Sequence, residues 1–256
     1  MISFIIPAHN EELWIGQCLA SIARTMASVS EQHEVIVVDD ASTDSTSQIA
    51  TQYEARVIQV DYRKISAVRN AGVQVSKGDI LFFVDADTKT NADAVRDALK
   101  VIRSGAVGGG CVPALDGPVP LWGKLIHRFA VLAGRMLRLV GGCFLFCTRD
   151  AFRSTGGFSE DLRAGEDIAF VRSLKKLGRF VVLRPAVVTS ARKLEIAGPL
   201  QVVKLLSTIA IRGHNYENPW VIDILYGQRA QQCRNIGNVA EPSDAPKSPV
   251  GRKFRS

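Results

Sequence analysis

The chain has 256 residues, 46% of them hydrophobic and 22% charged, with a formal net charge of +7. That is enough apolar material for one large globular domain or two small ones, and it excludes a disordered chain. The positive charge points to anionic partners such as a nucleotide, a phospholipid surface or nucleic acid, without choosing among them.

The opening Met1-Ile-Ser-Phe-Ile-Ile-Pro7 lacks the basic flank and cleavage site of a signal peptide, and no uncharged apolar run reaches the length of a membrane span. A cytoplasmic product is expected. Short β-rich runs at 2–7, 34–40, 56–60 and 80–85 alternate with amphipathic segments. Ile15, Cys18, Leu19 and Ile22 form one helical face; Ala94, Val95, Ala98, Leu99 and Ile102 form another, with Asn91 as its cap. This β-α-β-α order predicts an α/β fold with a mostly parallel sheet covered on both faces. Near 105–110 the alternation stops, and a less regular half follows with strands expected at 143–147 and 180–183. The five cysteines, at 18, 111, 143, 147 and 233, have no Cys-x-x-Cys spacing and sit mostly in apolar runs, so they read as buried free thiols. From about 235 the chain turns to Pro, Ser, Gly and basic residues, which predicts a disordered basic tail over 236–256.

The carboxyl ends of the predicted strands carry the chemistry, because an open parallel sheet binds its ligand at that edge. The strand at 80–85 delivers Asp85-Ala86-Asp87, and alternation would send both carboxylates to one side, where they can meet a Mg²⁺ or Mn²⁺ carrying phosphate oxygens. The alternative is a turn in which Asp87 caps the helix entered near Asn91. The first strand ends Pro7-Ala8-His9-Asn10-Glu11-Glu12 and the second ends Asp39-Asp40-Ala41-Ser42-Thr43-Asp44. A carboxylate there can accept from a base N–H or a ribose hydroxyl, while Ser42 or Asp44 can cap the next helix. Two adjacent acids at a sheet edge should repel unless something is bound. Arg69-Asn70-Ala71-Gly72 opens a short helix, where Arg69 either offsets these carboxylates and reaches a phosphate or is a solvated surface residue.

In order and spacing, Ser3-Phe-Ile-Ile-Pro-Ala-His-Asn-Glu-Glu12, Val37-Val-Asp-Asp-Ala-Ser-Thr-Asp44, Arg69-Asn-Ala-Gly72 and Asp85-Ala-Asp87 resemble the motifs of family 2 glycosyltransferases with the GT-A fold. The resemblance covers roughly 1–195. It implies a Rossmann-like sheet with a smaller mixed acceptor-side region, divided into a nucleotide-sugar-binding half (1–110) and an acceptor half (111–235). It also implies a nucleotide-diphosphate sugar donor, with UDP favoured over GDP, a divalent metal, and single-displacement transfer to a hydroxyl with inversion. Carried over by position, Pro7, Ala8, Asn10 and Glu11 would lie along the base, Asp40 would bind it with Asp39 beside it, and Arg69, Ala86 and Asp85 would line the sugar-diphosphate. Asp87, with Asp85, would hold the metal.

Inverting transfer needs a base for the acceptor hydroxyl. Gly156-Gly157-Phe158 and Gly165-Glu166-Asp167 resemble the family's acceptor-side elements, which implies Asp167 as the base and Glu166 as its orienting neighbour or substitute. The other reading places both acids at the positive end of a helix over 168–176. Arg192, and less directly Lys193, follow the apolar run 187–191 where the family often supplies a cation for the departing diphosphate; the other reading makes them surface charges at a strand end.

Apolar residues at 121, 122, 125, 126, 129, 132, 133, 136, 137 and 140 make a helical stripe, with Lys124, Arg128, Arg135 and Arg138 off it. Packing on its own domain is the first expectation. Peripheral membrane contact, shared with an apolar segment at 199–211 and opening the way to a lipid-linked acceptor, is the second. Two other functions compete. A nucleotidyltransferase would call for a glycine-rich loop after the first strand, which Ala8-His9-Asn10-Glu11 is not. A silent nucleotide-binding protein would keep the pocket without the base. No recognised nucleic-acid motif occurs.

Overall fold

The computed structural model describes residues 1–117, 119–162 and 165–192. Lys193, the apolar segment at 199–211 and the basic tail lie outside the described residues. The first part runs β1 (Ile2–Ala8), α1 (Ile15–Ala27), β2 (His33–Asp40), α2 (Thr46–Gln52), β3 (Arg56–Val60), α3 (Ile65–Val75), β4 (Ile80–Val84), β5 (Thr88–Lys89) and α4 (Ala92–Arg103). It continues with β6 (Gly108–Cys111), β7 (Ala114–Asp116), α5 (Leu121–Leu137), β8 (Phe144–Thr148), α6 (Arg149–Thr155), α7 (Glu166–Leu177), β9 (Phe180–Leu183) and β10 (Val188–Ser190).

Seven strands form the main sheet in the order β3-β2-β1-β4-β8-β6-β9. Every pairing is parallel except those of β8, which runs antiparallel to β4 and β6. A small mixed sheet, β5-β10-β7, lies beside it. Strand alternation divides the core between the two faces. Phe4, Ile6, Phe82, Val84 and Phe146 pack against α1 and α4, whereas Ile5, Leu81, Phe83 and Leu145 pack against α3, α6 and α7. On the second face the ring of Phe158 lies 4.9 Å from Phe83 and 4.2 Å from Phe170, between centroids.

The predicted strands on 2–7, 34–40, 56–60 and 180–183 match the observed ones to within a residue, and Asn91 does cap α4, its carboxamide accepting from Ala94 N at 3.0 Å. Other expectations need correction. The stretch where alternation stops contains β6, a strand of three glycines and a cysteine. A Cβ on Gly109 would overlap the Val181 carbonyl and Phe146, so bare backbone is what lets β6 fit between its neighbours. Arg69-Asn70-Ala71-Gly72 does not open a helix but sits in the middle of α3, with Gly72 where a Cβ would come within 2.5 Å of Ile5 Cγ2. Helix α7 starts at Glu166, two residues before the predicted onset. Cys18, Cys111 and Cys147 are buried free thiols, and Cys143 is half-buried. Burial, helped by the Asp97 charge, pushes the Cys111 thiol up to about 12.

Candidate active site

β1 has β2 on one side and β4 on the other, so the strand order reverses there and the carboxyl edge between β1 and β4 is the sheet's switch point. The β1–β4 ladder ends at Ile5↔Phe83, while β1–β2 pairing continues to Ala8↔Asp39. Pro7 and Ala8 therefore lie where β1 and β4 part. Beyond the ends of the first three strands, Asn10, Ala41 and Arg63 adopt left-handed backbone, with φ of 52°, 54° and 50°. Each such residue costs about 1–3 kcal/mol, and strain of this kind gathers where a ligand is held.

Hydrogen bonds fix this edge. Asn10 N–H donates to Ser42 Oγ at 2.9 Å, and Asn10 Oδ1 accepts from Thr43 N–H at 2.8 Å. Asp44 accepts from Thr46 N–H at 3.0 Å, at the first turn of α2, whereas Ser42 is not a cap of that helix. The adjacent acids do not repel as expected, because consecutive strand residues face opposite ways. Asp39 accepts from Ser42 N–H and the Ser47 hydroxyl. Asp40 Oδ1 accepts from the backbone N–H groups of Tyr62 and Arg63, at 2.7 and 3.1 Å. His9 Nδ1 is 2.7 Å from the Asp40 carbonyl and so carries the donor proton, which leaves Nε2 to accept from Arg63 Nη1 at 3.1 Å. Neither His9 nor Arg63 was among the sequence candidates.

Asp85-Ala86-Asp87 is not the end of a strand. β4 stops at Val84 and the three residues form a turn, closed by Thr88 N–H donating to the Asp85 carbonyl at 3.0 Å. Strand alternation therefore does not orient the two carboxylates; two arginines do. Arg69 Nη2 lies 3.0 Å from Asp85 Oδ1, and Arg192 Nη2 lies 2.8 Å from Asp87 Oδ2. Asp87 caps no helix. Arg192 also donates from both terminal nitrogens to Glu11, at 2.8 Å each, and stacks on Trp14 with its Cζ 5.6 Å from the ring centroid. Burial alone would lower the Arg192 pKa, but the hydrogen bond to Glu11 and the charges of Asp87, Glu11 and Asp85 raise it above the usual guanidinium value. The thiol of Cys18 is pushed up by burial first and then by Asp87, Asp85 and Glu11, so these three carboxylates share one small region.

Arg69 is not a surface residue: its side chain is 2% exposed. Besides Asp85 it reaches Glu166 Oε1 at 3.1 Å and the Gly142 carbonyl at 3.3 Å, and its guanidinium lies 5.1 Å from the Phe158 ring centroid. One cation thus ties the Asp-Ala-Asp turn to the first turn of α7. Asn70 ties down the next loop. It donates to the Phe158 carbonyl at 2.9 Å and Glu160 at 2.8 Å, and accepts from Phe158 N–H at 3.0 Å. Asp167 Oδ2 accepts from Gly142 N–H at 2.7 Å, and Oδ1 from Ile168 N–H at 2.7 Å. Glu166 is buried against Arg69, whereas Asp167 is half-buried. Gly142 was missed in sequence; a Cβ there would come within 2.5 Å of Arg69 Nη2, so a larger residue would displace the guanidinium.

Asp85 and Asp87 offer the hard oxygens that Mg²⁺ and Mn²⁺ take, and such ions are held by one or two carboxylates completed by substrate phosphates. No group of three or more His, Cys, Asp or Glu side chains able to hold a metal occurs among the described residues. Two carboxylates fit a cation shared with a diphosphate and do not fit an all-protein cage.

The family model for glycosyl transferase family 2 matches residues 3–153, and the chain belongs to that family. It is 36% identical over 102 residues to the poly(ribitol-phosphate) beta-glucosyltransferase of Bacillus spizizenii, which is 37% of this chain and 16% of the relative. It is 26% identical over 192 residues to glycosyltransferase AglE of Haloferax volcanii, covering 69% of this chain and 62% of AglE. The chain thus spans less than two thirds of either relative. Among solved structures, S. aureus TarS 1-349 in complex with UDP-GlcNAc superposes with a TM-score of 0.59 at 20% identity, over 94% of this chain and 76% of that one. The mannosyltransferase PcManGT of Pyrobaculum calidifontis, in complex with GDP-Man and Mn2+, superposes with a TM-score of 0.60 at 18% identity, over 94% and 76%. These likenesses establish the GT-A fold.

Proposed function

We propose that this protein is an inverting, metal-dependent glycosyltransferase that moves a sugar from a nucleotide-diphosphate donor, UDP favoured, to an acceptor hydroxyl. The observation that carries the proposal is Arg69, which joins Asp85 on the donor side to Glu166 beside Asp167 on the acceptor side. A nucleotide pocket alone has no need of that bridge. Family membership and solved relatives holding UDP-GlcNAc or GDP-Man support a nucleotide-sugar donor.

The nucleotide base lies along Pro7, Ala8 and Asn10, with Asp40 accepting from its N–H and Asp39 bracing the loop through Ser42. The diphosphate enters beside Ala86, where β1 and β4 part. Asp87 and Asp85 would hold the divalent cation, Mn²⁺ or Mg²⁺, which when bound neutralises charge on the diphosphate. Arg192, held by Glu11, offers a second positive charge to the leaving group. On the opposite side Asp167 takes the proton of the acceptor hydroxyl as its oxygen bonds to the anomeric carbon and the nucleotide diphosphate departs with the bonding electrons. Glu166 keeps Arg69, and through Gly142 the Asp167 loop, in place. The enzyme works in the cytoplasm, at the inner face of a membrane, on a sugar, lipid-linked or other hydroxyl acceptor.

A thermal-shift screen against UDP, GDP, CDP and TDP sugars, each with and without Mn²⁺, tests the donor half. At a hundredfold excess over Kd a ligand adds about 2.7 kcal/mol, a rise of roughly 5–10 °C for a domain of this size. Transfer is then read as nucleotide release and the anomeric configuration of the product.

A further inference from the structure

Helix α5 leaves one side of its apolar stripe exposed, while Trp122 and Ile126 are half-buried. Six of the eleven large hydrophobic residues that are exposed among the described residues lie on it, with Phe129 at 64% and Met136 at 77%. With 3.6 residues per turn, Leu121, Leu125, Phe129, Leu132 and Met136 fall on one side of the helix. Gly123, which is buried, and Ala130 and Gly134, which are half-buried, fall on the other. The small residues thus face the protein and these five large ones face out. The expectation that the stripe packs on its own domain is overturned for this face.

Lys124, Arg128 and Arg135 form a row along one flank of the outward stripe, all of them exposed. Between Asp116 and Asp150 the sequence contains no acidic residue. Apolar residues flanked by cations, on a segment that carries no acid, complement an anionic bilayer, where the large side chains enter the acyl boundary and the cations meet phosphates. A second copy would bring the same row of cations, Lys124, Arg128 and Arg135, against itself, which disfavours it as the occupant. We propose that the outward face of α5 is a docking surface for an anionic phospholipid bilayer. No helix among the described residues is long and apolar enough to cross a membrane, and the proposed contact is made by the outward face of α5.

The chain leaves α5 at Leu137 and reaches Gly142, which contacts both Arg69 and Asp167. Docking through α5 therefore sets the candidate base near the lipid surface. A lipid-linked acceptor follows from that placement and rests on the transferase reading, whereas docking itself does not.

The full chain is sedimented with vesicles of phosphatidylcholine mixed with phosphatidylglycerol, and with vesicles of phosphatidylcholine alone. It is expected to pellet with the first and not the second, and to be released by salt. Lys124→Gln, Arg128→Gln and Arg135→Gln should each weaken binding about fivefold, from about 1 kcal/mol per cation at an anionic surface. Phe129→Ser should weaken it about tenfold or more without lowering the melting temperature. A wild-type chain that stays in the supernatant with anionic vesicles overturns the proposal. So does binding that neither class of variant changes, a Phe129→Ser variant whose melting temperature falls by several degrees because its own chain covers the face, or a dimer that Phe129→Ser dissolves. Donor-induced thermal shifts measured on the same variants should match wild type, which keeps a failure of lipid docking distinct from a failure of the transferase reading.

Discussion

Replacing Arg69 by Met keeps the length of the side chain and removes the one cation shared by two buried carboxylates. At an effective dielectric of about 20, two unit charges 3 Å apart interact by about 5–6 kcal/mol, and Arg69 makes such contacts at 3.0 Å with Asp85 and 3.1 Å with Glu166. Much of that attraction offsets the desolvation of all three groups, so the pairs add little net stability over an apolar core. Breaking them is another matter, because Glu166, 3% exposed, and Asp85, 16% exposed, each lose a charged hydrogen-bond partner at 3.0–3.1 Å. Removing one partner of a buried pair costs about 3–5 kcal/mol. The contacts with the Gly142 carbonyl and the Phe158 ring are lost as well, and we expect a loss of about 4 kcal/mol. For a domain of this size that is a drop of roughly 8–16 °C in melting temperature, measured by calorimetry alongside urea titration. Adding Glu166→Leu to Arg69→Met should recover part of the loss. A cost below about 1 kcal/mol, or no recovery in the double variant, would refute the idea that this cation holds the donor and acceptor sides together.

Other outcomes follow from the same geometry. Asp167→Asn should lower kcat by about 10²–10⁴ with donor binding intact, as expected for loss of a general base; steady-state transfer and donor titration together separate the two. Glu11→Gln removes one of the two carboxylates that hold Arg192, costing about 1.5–3 kcal/mol of charged hydrogen bonding, and should weaken donor binding; unchanged affinity in calorimetric titration would detach Arg192 from the leaving group. Glu34 lies away from the site. Burial would raise its pKa, but the Ser3 hydroxyl and the Lys77 and Gly78 amides hold the carboxyl below its ordinary value. Its contribution is present above the unfolded carboxylate pKa and is lost as pH falls through the folded one. The Glu34→Gln destabilisation seen by denaturant titration at neutral pH should therefore shrink as the pH is lowered through the carboxylate range and vanish once Glu34 is protonated in both the folded and the unfolded chain.

The parallel half of the sheet was legible because its strands are continuous apolar runs with acids at their ends, and hydrophobic periodicity is what sequence displays best. The triple-glycine strand β6 was not, since glycine carries no pattern and its role here is to admit the Val181 carbonyl and Phe146. Within the site, Asp85 and Asp87 could be picked out as acids at the right edge, but their orientation could not. It depends on Arg69 and Arg192, which lie 16 and 105 residues away in the chain from their respective partners. The His9–Arg63 contact was invisible for the same reason, since it joins side chains 54 residues apart, and Gly142 because it acts through its backbone N–H and carbonyl, which leave no trace in residue type. The stripe on α5 shows the opposite limit. Its periodicity was plain, but an amphipathic pattern does not say whether the apolar side meets the protein or something else.

The most direct test titrates UDP into the wild-type chain, Asp87→Asn and Asp167→Asn by calorimetry, each with and without Mn²⁺. The account predicts metal-dependent binding to wild type, equal binding to Asp167→Asn, and loss of the metal-dependent part in Asp87→Asn. Equal loss in both variants, or no binding to a folded wild-type chain, would contradict the division into a donor corner at Asp85 and Asp87 and an acceptor base at Asp167.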